Sequence, residues 1–527
     1  MLRTSGGGSL EPRPERSLVN VPKDRDSHFF KRWVAALVAL AGLYGLTGLT
    51  WGLPNGNHTW AADSVRPMTP YAVAYHVFFE GFNSGYFYFK YPVGHQLLLA
   101  AIGAPVLGWA LLTGNLHELA TDYPFGMHDP EPVLFALALV MRLVSVVMSI
   151  GCLLALMAVA RRTVGSRAAI GTGFALLGCY PFVFYQHTTN VEIPFLFWAL
   201  LGLYATVRAV EEHAPRWYLL LGASAALAVS TKEQIAGFFI LLPLWILAAE
   251  WPRRSQWHWR VLPRGTAAGA GVAAVTYLVA NAAFFNPTGF ARRLLFLTHR
   301  LDPAVRARYA PYEFPVDVAA AWSARAELAH LREAVEVVAA SLGWPALVAA
   351  AAGLCLLVAL HRRAAAYILV PAAGYYLTSV RILKQVEIRY LLPISVLLAV
   401  PTGLLLARMW SHRILKPLAA GLVAFGLVYS ADVLGMLVGD ARYACEHWME
   451  PRLAAGRTVE VYQSWTYLPR WQGHPGVRKP PLEEVTIAGL KQRRPDYVVL
   501  SSKGLEGITM YPNPDWRDGR GMMLVSR

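Results

Sequence analysis

An aspartate in a predicted outer loop could carry out acid–base chemistry. Asp63 follows the first strongly apolar segment, and aromatic residues flank it on both sides. A carboxylate that is partly desolvated beside apolar groups can act as a general base. The same residue would also suit a solvated loop or the N-cap of a helix, so the loop alone leaves these interpretations open.

Charged residues also lie at the predicted outer ends of apolar helices. Glu192 begins one such segment, and Lys232 and Glu233 occupy the tight turn between two others. Charges at membrane depth are energetically costly, which makes these residues functional candidates. A structural ion pair, or side chains that reach out to the membrane interface, are the alternatives.

A further set of cations lies in a short predicted outer loop, on the side of the membrane where Lys and Arg are normally rare. It consists of Arg381, Lys384 and Arg389. An anionic ligand such as a lipid phosphate accounts for this exception, because arginine pairs bidentately with phosphate oxygens. For the arginines of the second outer loop, contact with lipid headgroups explains their position equally well.

The composition predicts a polytopic helical membrane protein. Of the 527 residues, 55% are hydrophobic and only 15% are charged, and the mean hydropathy is +0.38. These values exclude a disordered, fibrous or disulfide-stabilised chain. Much of the formal charge of +15 lies in predicted cytoplasmic loops. This fits the positive-inside rule, and we therefore expect no nucleic-acid partner.

Apolar segments of bilayer length predict about eleven membrane spans. They are 33–53, 133–160, 168–186, 193–210, 217–232, 234–250, 265–285, 336–360, 365–380, 391–408 and 416–438. A further apolar segment, 93–113, is assigned to the outer interface. Counting it as a span would place the acidic stretch 114–131 in the cytoplasm and Arg161 outside, against the positive-inside rule.

The spans divide the chain into three parts. Residues 1–32 are predicted to be a flexible cytoplasmic tail, and residues 33–438 a transmembrane domain with outer loops at 54–132 and 286–335. Residues 439–527 are predicted to form a small extracytoplasmic α/β domain. Its strand-like runs are 458–462, 497–501 and 522–525.

Taken in order along the chain, the candidate residues resemble the motifs of the GT-C class of polytopic glycosyltransferases. The resemblance is greater to the glycosyltransferase family 39-like enzymes, which include protein O-mannosyltransferases and aminoarabinose transferases. The similar motifs are Asp63-Ser64, Tyr91-Pro92 with His95, Arg142-Leu143-Val144-Ser145, Glu192, Thr231-Lys232 and Arg389-Tyr390-Leu391-Leu392-Pro393. The family has an Asp-Glu pair where this chain has Asp63-Ser64, so the second acid is missing, and this leaves the donor sugar open.

The resemblance implies an all-α, GT-C-like membrane glycosyltransferase that is inverting and uses Asp63 as the general base. It would transfer a hexosyl or pentosyl group from a polyprenyl-phosphate donor to an extracytoplasmic lipid, glycan or protein. The residues implied at the donor phosphate are Arg389, Lys232, Lys384 and Arg66, and those implied in substrate positioning are Glu192, Tyr91, His95 and Tyr390. We expect a multi-pass protein of a bacterial inner membrane, with a cytoplasmic N-terminus and an extracytoplasmic active site and C-terminus.

Two other functions share this composition. A lipid or lipid-linked sugar flippase would place ionisable groups near the membrane midplane, whereas the candidates here lie at the predicted outer face. A non-catalytic scaffold would not need cations beside Tyr390. We expect no cofactor, because no cluster of His, Cys and acidic residues has metal-ligand spacing. His58, His76 and His95 nevertheless leave a divalent metal open.

Overall fold

The computed structural model describes most of the chain as a bundle of helices with one small sheet. The residues that it describes are 25–80, 91–118, 120, 122–250, 261–298, 300–304, 323–383, 386–481, 484 and 486–500. Most of the predicted tail, 1–32, therefore lies outside the described residues. So do Lys384 and the predicted strand 522–525.

The helices follow the apolar segments of the sequence, and several begin with proline, whose missing N–H costs nothing in the first turn. The first ten are α1 (Arg25–Leu46), α2 (Thr69–Tyr75), α3 (Gly94–Leu112), α4 (Pro130–Thr163), α5 (Ser166–Leu177), α6 (Tyr180–Tyr185), α7 (Glu192–Glu212), α8 (Pro215–Val229), α9 (Ala236–Ile240) and α10 (Leu242–Glu250). The others are α11 (Val261–Ala280), α12 (Pro287–Leu297), α13 (Ala324–Leu342), α14 (Trp344–Leu360), α15 (Arg362–Tyr375), α16 (Ile388–Leu397), α17 (Ala399–Ser411), α18 (Lys416–Val438), α19 (Ala441–Ala454) and α20 (Ile487–Arg493).

Several helices are long and apolar enough to cross a membrane. Among the described residues there are five, or up to seven if each of two bent pairs is one span. The five are His28–Leu46, Gly94–Leu112, Pro130–Thr163, Glu192–Glu212 and Lys416–Ala454. Most of the other predicted spans coincide with shorter or broken helices, whereas 265–285 coincides with the 20-residue helix α11. The helix α3 covers the segment that was assigned to the outer interface, and this placement stays a prediction.

Two predicted spans are broken for reasons that lie in their sequences. The segment 336–360 was predicted as one helix, but α13 and α14 meet at a bend of 111°. Gly343 at the bend has φ 78°, and Pro345 follows it and cannot donate a hydrogen bond to the preceding helix. The segment 168–186 divides into α5 and α6 in the same way, with Pro181 at the start of α6.

Small residues let the central helices pack with their backbones in contact. A Cβ atom added to Gly171 of α5 would lie 2.8 Å from the carbonyl oxygen of Gly403 in α17. A Cβ atom added to Gly222 of α8 would lie 2.1 Å from the carbonyl oxygen of Gly269 in α11. Close packing of this kind is typical of helices in membranes.

A small parallel sheet follows the last apolar helix. The strands are β1 (Val459–Val461), β2 (Val477–Arg478) and β3 (Tyr497–Val499), in the order β2-β1-β3. Buried side chains of α19 and β1, including Met449, Leu453, Val459 and Val461, form its core. The predicted strands 458–462 and 497–501 contain β1 and β3.

Candidate functional site

The loop that carries Asp63 is fixed to the turn that precedes α7. The Nδ2 atom of Asn190 donates to the carbonyl oxygen of Ala62 at 3.0 Å, and the hydroxyl of Ser64 donates to Asn190 Oδ1 at 2.5 Å. The hydroxyl of Thr189 donates to the carbonyl oxygen of Val65 at 2.6 Å. Asp63 itself has φ 59°, a left-handed conformation that aspartate tolerates better than most residues. These bonds on both sides hold the carboxylate in one place.

The turn that holds this loop is a buried polar segment. Its residues from Gln186 to Asn190 are each at most 2% exposed. The ring nitrogens of His187 contact the carbonyl oxygens of Val183 and Tyr44, each at 2.7 Å. Buried polar groups need such partners, and these contacts tie the turn that supports the Asp63 loop to α1 and α6.

Two residues of the predicted Arg-Leu-Val-Ser motif on α4 support the same region. The hydroxyl of Ser145 donates to the carbonyl oxygen of Thr188 at 2.7 Å. The guanidinium of Arg142, which is 1% exposed, donates to the carbonyl oxygen of Leu49 at 2.6 Å. The motif therefore anchors the backbone around the site and does not contribute groups to the open site itself.

The structure brings the candidate base and a candidate phosphate ligand into contact. Arg389, at the start of α16, forms an ion pair with Asp63, although 326 residues separate the two in the sequence. Its Nε atom also lies 2.8 Å from a carboxylate oxygen of Glu387. The side chain of Asp63 is 65% exposed and that of Arg389 is 24% exposed. The carboxylate is thus accessible to an incoming acceptor while its partner is held by the protein.

A second, more deeply buried ion pair lies beside the first. The Nζ atom of Lys232 lies 2.8 Å from Glu192 Oε1, and the Glu192 side chain is 3% exposed. The other oxygen, Oε2, is buried and has no hydrogen-bond partner among the described residues. A buried carboxylate oxygen with no partner is costly, and a donor from a bound substrate would satisfy it.

Tyr390 links the two ion pairs. Its ring centroid lies 4.9 Å from the guanidinium carbon of Arg389 and 5.0 Å from the Nζ atom of Lys232. A cation over an aromatic face is favourable, so one ring brings the two cations together. Four of the sequence candidates, together with Tyr390, thus form one cluster: Asp63, Arg389, Lys232 and Glu192.

Two buried tyrosines lie near the cluster, and the sequence interpretation did not single them out. Tyr185, at the end of α6, interacts electrostatically with Asp63, Arg389, Glu192 and Glu387. Tyr375, at the end of α15, interacts with Glu192 and Tyr390. Both lie in apolar runs of the sequence, where a tyrosine is usually a core residue, so only the packing of the helix ends could reveal them.

The other charged candidates have structural partners elsewhere. Glu233 pairs with Arg293, whose side chain is 1% exposed, so the neighbouring Lys232 and Glu233 do not share one partner. Arg381 pairs with Glu327 of α13 at 2.9 Å. Neither arginine joins the Asp63 cluster, and Lys384 lies outside the described residues.

Three predicted residues lie at the margin of the cluster. Arg66 is exposed in the Asp63 loop. Tyr91 is 67% exposed before α3. His95 is buried in the first turn of α3, and its Nδ1 atom has no hydrogen-bond partner among the described residues. The neighbouring Gly94 packs on Ser230, because an added Cβ atom would lie 2.9 Å from the Ser230 carbonyl oxygen. The first turn of α3 therefore packs against the turn that carries Lys232.

The loop histidine His58 lies next to cations rather than acids. Burial, followed by the positive charges of Arg66 and Lys479, lowers the pKa of His58 to about 4. This imidazole is therefore neutral at physiological pH. Within the described ranges, no three His, Cys, Asp or Glu side chains are grouped closely enough to hold a metal ion.

The C-terminal domain is fastened to the loop that precedes Asp63. The indole Nε1 of Trp60 donates to the carbonyl oxygen of Leu468 at 2.9 Å. The guanidinium carbon of Arg442 lies 4.0 Å from the centroid of the Trp60 ring. Arg442 also donates to the carbonyl oxygen of Thr466 at 2.8 Å and pairs with Asp440 at 2.6 Å. We call this group of contacts the Arg442 clamp.

A second arginine strengthens the same junction. Arg470 forms an ion pair with Glu446 at 2.6 Å and donates to the carbonyl oxygen of Leu53 at 2.7 Å. Trp51 donates to Asp440 at 2.8 Å. The Asp63 loop is thus held from one side by the helix bundle and from the other by the C-terminal domain.

Comparisons with known proteins agree with this architecture. Residues 135–279 match the family described as dolichyl-phosphate-mannose-protein mannosyltransferase. Among solved structures, ArnT from Cupriavidus metallidurans bound to undecaprenyl phosphate is similar with a TM-score of 0.50 at 14% identity, and the match covers 94% of this chain and 96% of that chain. The apo form of ArnT has a TM-score of 0.51 at 15% identity over the same shares.

A weaker likeness extends to AglB, the archaeal oligosaccharyltransferase from Archaeoglobus fulgidus. It has a TM-score of 0.42 at 13% identity and covers 86% of this chain and 65% of that chain. Among curated proteins, no sequence matches this chain significantly. The family match and the likeness to ArnT confirm the predicted resemblance to the GT-C class and its helical fold. The matched residues 135–279 include Glu192 and Lys232, but neither Asp63 nor Arg389.

Proposed function

We propose that this chain, which has the fold of the GT-C membrane glycosyltransferases, transfers one sugar from a polyprenyl-phosphate donor to an acceptor hydroxyl or amine. The observation that carries the proposal is the cluster at the start of α7. It combines one accessible carboxylate, Asp63, with two cations, Arg389 and Lys232, that are fixed on one tyrosine ring. Transfer from a lipid phosphate needs a base for the acceptor and positive charge for the leaving phosphate.

The reaction would be a single displacement with inversion. The acceptor oxygen or nitrogen attacks the anomeric carbon, and its proton moves to the Asp63 carboxylate. The bond between the anomeric carbon and the phosphate oxygen breaks on the opposite face, and its electron pair leaves with the phosphate. Arg389 would release part of its contact with Asp63 to stabilise this phosphate, because guanidinium pairs well with phosphate oxygens.

The remaining candidates would bind parts of the substrates. Lys232 would add positive charge at the donor phosphate, with Arg66 and Lys384 further out. The partnerless Oε2 atom of Glu192 would accept a hydrogen bond from a sugar hydroxyl. Tyr390, Tyr91 and His95 would help to position the donor or the acceptor.

The site and the C-terminal domain would lie on the extracytoplasmic side of a bacterial inner membrane, with the N-terminus in the cytoplasm. The charge distribution of the loops supports this orientation. The acceptor would be a lipid, a glycan or a protein, and the transferred group a hexose or pentose. Comparing envelope lipids and glycans of cells with and without the gene, by mass spectrometry, would identify the product.

The direct test uses vesicles that contain the purified protein and a radiolabelled polyprenyl-phosphate sugar. Asp63→Asn should fold and insert normally and lose transfer by at least about a hundredfold, the usual contribution of a general base. Asp129→Asn is the matched control, because Asp129 is also an exposed aspartate of the first outer loop and caps no helix with its side chain. It should transfer at the wild-type rate.

Two results would oppose the proposal. Near-normal transfer by Asp63→Asn would remove Asp63 from the role of base. Translocation of the label across the vesicle membrane without any transfer would instead identify a flippase or transporter.

A further inference from the structure

A basic cavity lies at the end of the helix bundle opposite the candidate active site. Its volume is about 870 Å³. Four arginines from three helix ends line it, and these are Arg161, Arg162, Arg167 and Arg408. They come from the end of α4, the start of α5 and the end of α17. None of these residues takes part in the proposed transfer.

The cavity is separated from the active site by about the thickness of a bilayer. Arg162 pairs with Glu211 at 2.6 Å. Glu211 and the active-site Glu192 lie near opposite ends of α7, and a rise of about 1.5 Å per residue places them about 29 Å apart. The hydrocarbon core of a membrane is about 30 Å thick, so the arginines meet the headgroup region of the leaflet on the other side.

The positive charge of the cavity is largely uncompensated. In the part of the chain that the structure describes, no carboxylate lines it, and Arg162 alone of the four arginines has an ion-pair partner. The guanidinium of Arg161 lies 4.4 Å from the centroid of the Phe30 ring, a stacking contact that leaves its N–H groups available. The first turn of α5, which has no side-chain cap, also lines the cavity.

An apolar groove continues from the basic cavity along the bundle. Its volume is about 900 Å³, and Phe29, Arg167, Ala407 and Ser411 line both spaces. Trp33, Ile170, Phe174, Val423 and Leu427 give the groove its apolar surface. A cationic pocket joined to an apolar groove matches the two parts of a lipid, a negatively charged headgroup and its acyl chains.

We propose that this cavity and groove bind an anionic glycerophospholipid of the leaflet opposite the active site. The phosphate would contact Arg161, Arg167 and Arg408, and an acyl chain would lie in the groove. An open site of this kind binds each molecule weakly, and an abundant leaflet lipid fills it by mass action. Because abundance decides which lipid fills the site, we expect an abundant membrane phospholipid as the occupant rather than the scarcer polyprenyl phosphate.

Native mass spectrometry of the full-length protein, titrated with phosphatidylglycerol, would test the proposal. The variant Arg167→Gln/Arg408→Gln should bind phosphatidylglycerol roughly thirtyfold more weakly than the wild type, from the usual contribution of two arginines near anionic lipid. Arg362→Gln/Arg363→Gln is the matched control. It removes the same charge from two exposed arginines in the first turn of α15, which follow His361 at the same end of the bundle but do not line the cavity. This control should bind as the wild type does.

A second variant tests the groove. Ala424 is exposed on α18 and lines the groove, so Ala424→Trp should obstruct an acyl chain. It should weaken binding of phosphatidylglycerol several-fold while leaving all four arginines in place. Phosphatidylcholine, titrated in parallel, should bind the wild type much more weakly, because its headgroup carries no net charge.

Three results would overturn the proposal. The first is equal binding of phosphatidylglycerol by the Arg167→Gln/Arg408→Gln variant and by its control. The second is equal binding of phosphatidylglycerol and phosphatidylcholine by the wild type. The third is binding of polyprenyl phosphate that is weakened by Arg167→Gln/Arg408→Gln, while binding of phosphatidylglycerol is not. This result would assign the cavity to polyprenyl phosphate.

Discussion

Removing the guanidinium of Arg442 should slow transfer although the residue touches no substrate. The Arg442 clamp holds Trp60, three residues before Asp63, against the C-terminal domain. A partly buried cation–π contact contributes at least about 0.5 kcal/mol, and a hydrogen bond from a charged donor at least about 1.5 kcal/mol. Losing both, about 2 kcal/mol together, shifts the equilibrium of the loop about thirtyfold toward the undocked state, since about 1.4 kcal/mol is a factor of ten.

The assay is steady-state transfer in vesicles, with kcat and KM for the donor measured separately. Arg442→Met should reduce kcat about thirtyfold and change the donor KM less than about threefold, because Arg389 and Lys232 lie outside the Arg442 clamp. Arg442→Lys keeps a cation over Trp60 but loses the planar guanidinium that reaches Asp440 and Thr466. It should recover part of the lost rate.

Arg452→Met is the matched control for this prediction. Arg452 lies on the same helix, α19, and stacks on Trp448 at 3.6 Å, away from the Asp63 loop. It should retain the wild-type kcat. A wild-type kcat in Arg442→Met, or an equal loss in both variants, would refute the idea that the C-terminal domain positions the base.

Three further predictions concern single side chains. Arg389→Lys should raise the donor KM more than about tenfold, because a lysine cannot pair bidentately with phosphate, and donor titration in the same vesicles measures this. Glu192→Gln should leave the partly buried Lys232 without its anion and lower both transfer and thermal stability. A faster transfer by this variant would instead indicate that Glu192 repels the substrate. Since the pKa of His58 is lowered to about 4, the neutral form stabilises the fold above the unfolded pKa near 6.5. This contribution is lost as the pH falls toward 4, so the unfolding temperature should drop over that range in the wild type and less in His58→Gln.

The sequence predicted the class of fold and the main members of the cluster. Composition and apolar segments indicated a helical membrane protein, and the cations that break the positive-inside trend pointed to Arg389. The contact between Asp63 and Arg389 could not be read from the sequence, because 326 residues separate them. Only the packing of α7 and α16 brings the two loops together.

The partners of the charged residues were beyond sequence reasoning for the same reason. The adjacent residues Lys232 and Glu233 look like one unit in the sequence, yet they pair with Glu192 and Arg293, on separate helices. Hydrophobic periodicity gives the face of a helix but not its neighbour or the register between them. Apolar length alone also failed to predict the bend at Gly343. The segment 336–360 is long enough to span a membrane as one helix, but it is broken near Gly343 and Pro345.

The position of the site follows from which parts of the molecule are rigid. The turn before α7 is buried, and the side chains of His187 and Thr189 contact backbone carbonyls of α1, α6 and the Asp63 loop. It therefore fixes Asp63 from one side, while Glu192, the first residue of α7, fixes Lys232. A loop on its own would hold a catalytic carboxylate loosely, and a helix on its own could not bring it within reach of an acceptor outside the membrane. Placing the carboxylate on a loop that is bound both to a helix end and to the C-terminal domain meets both requirements.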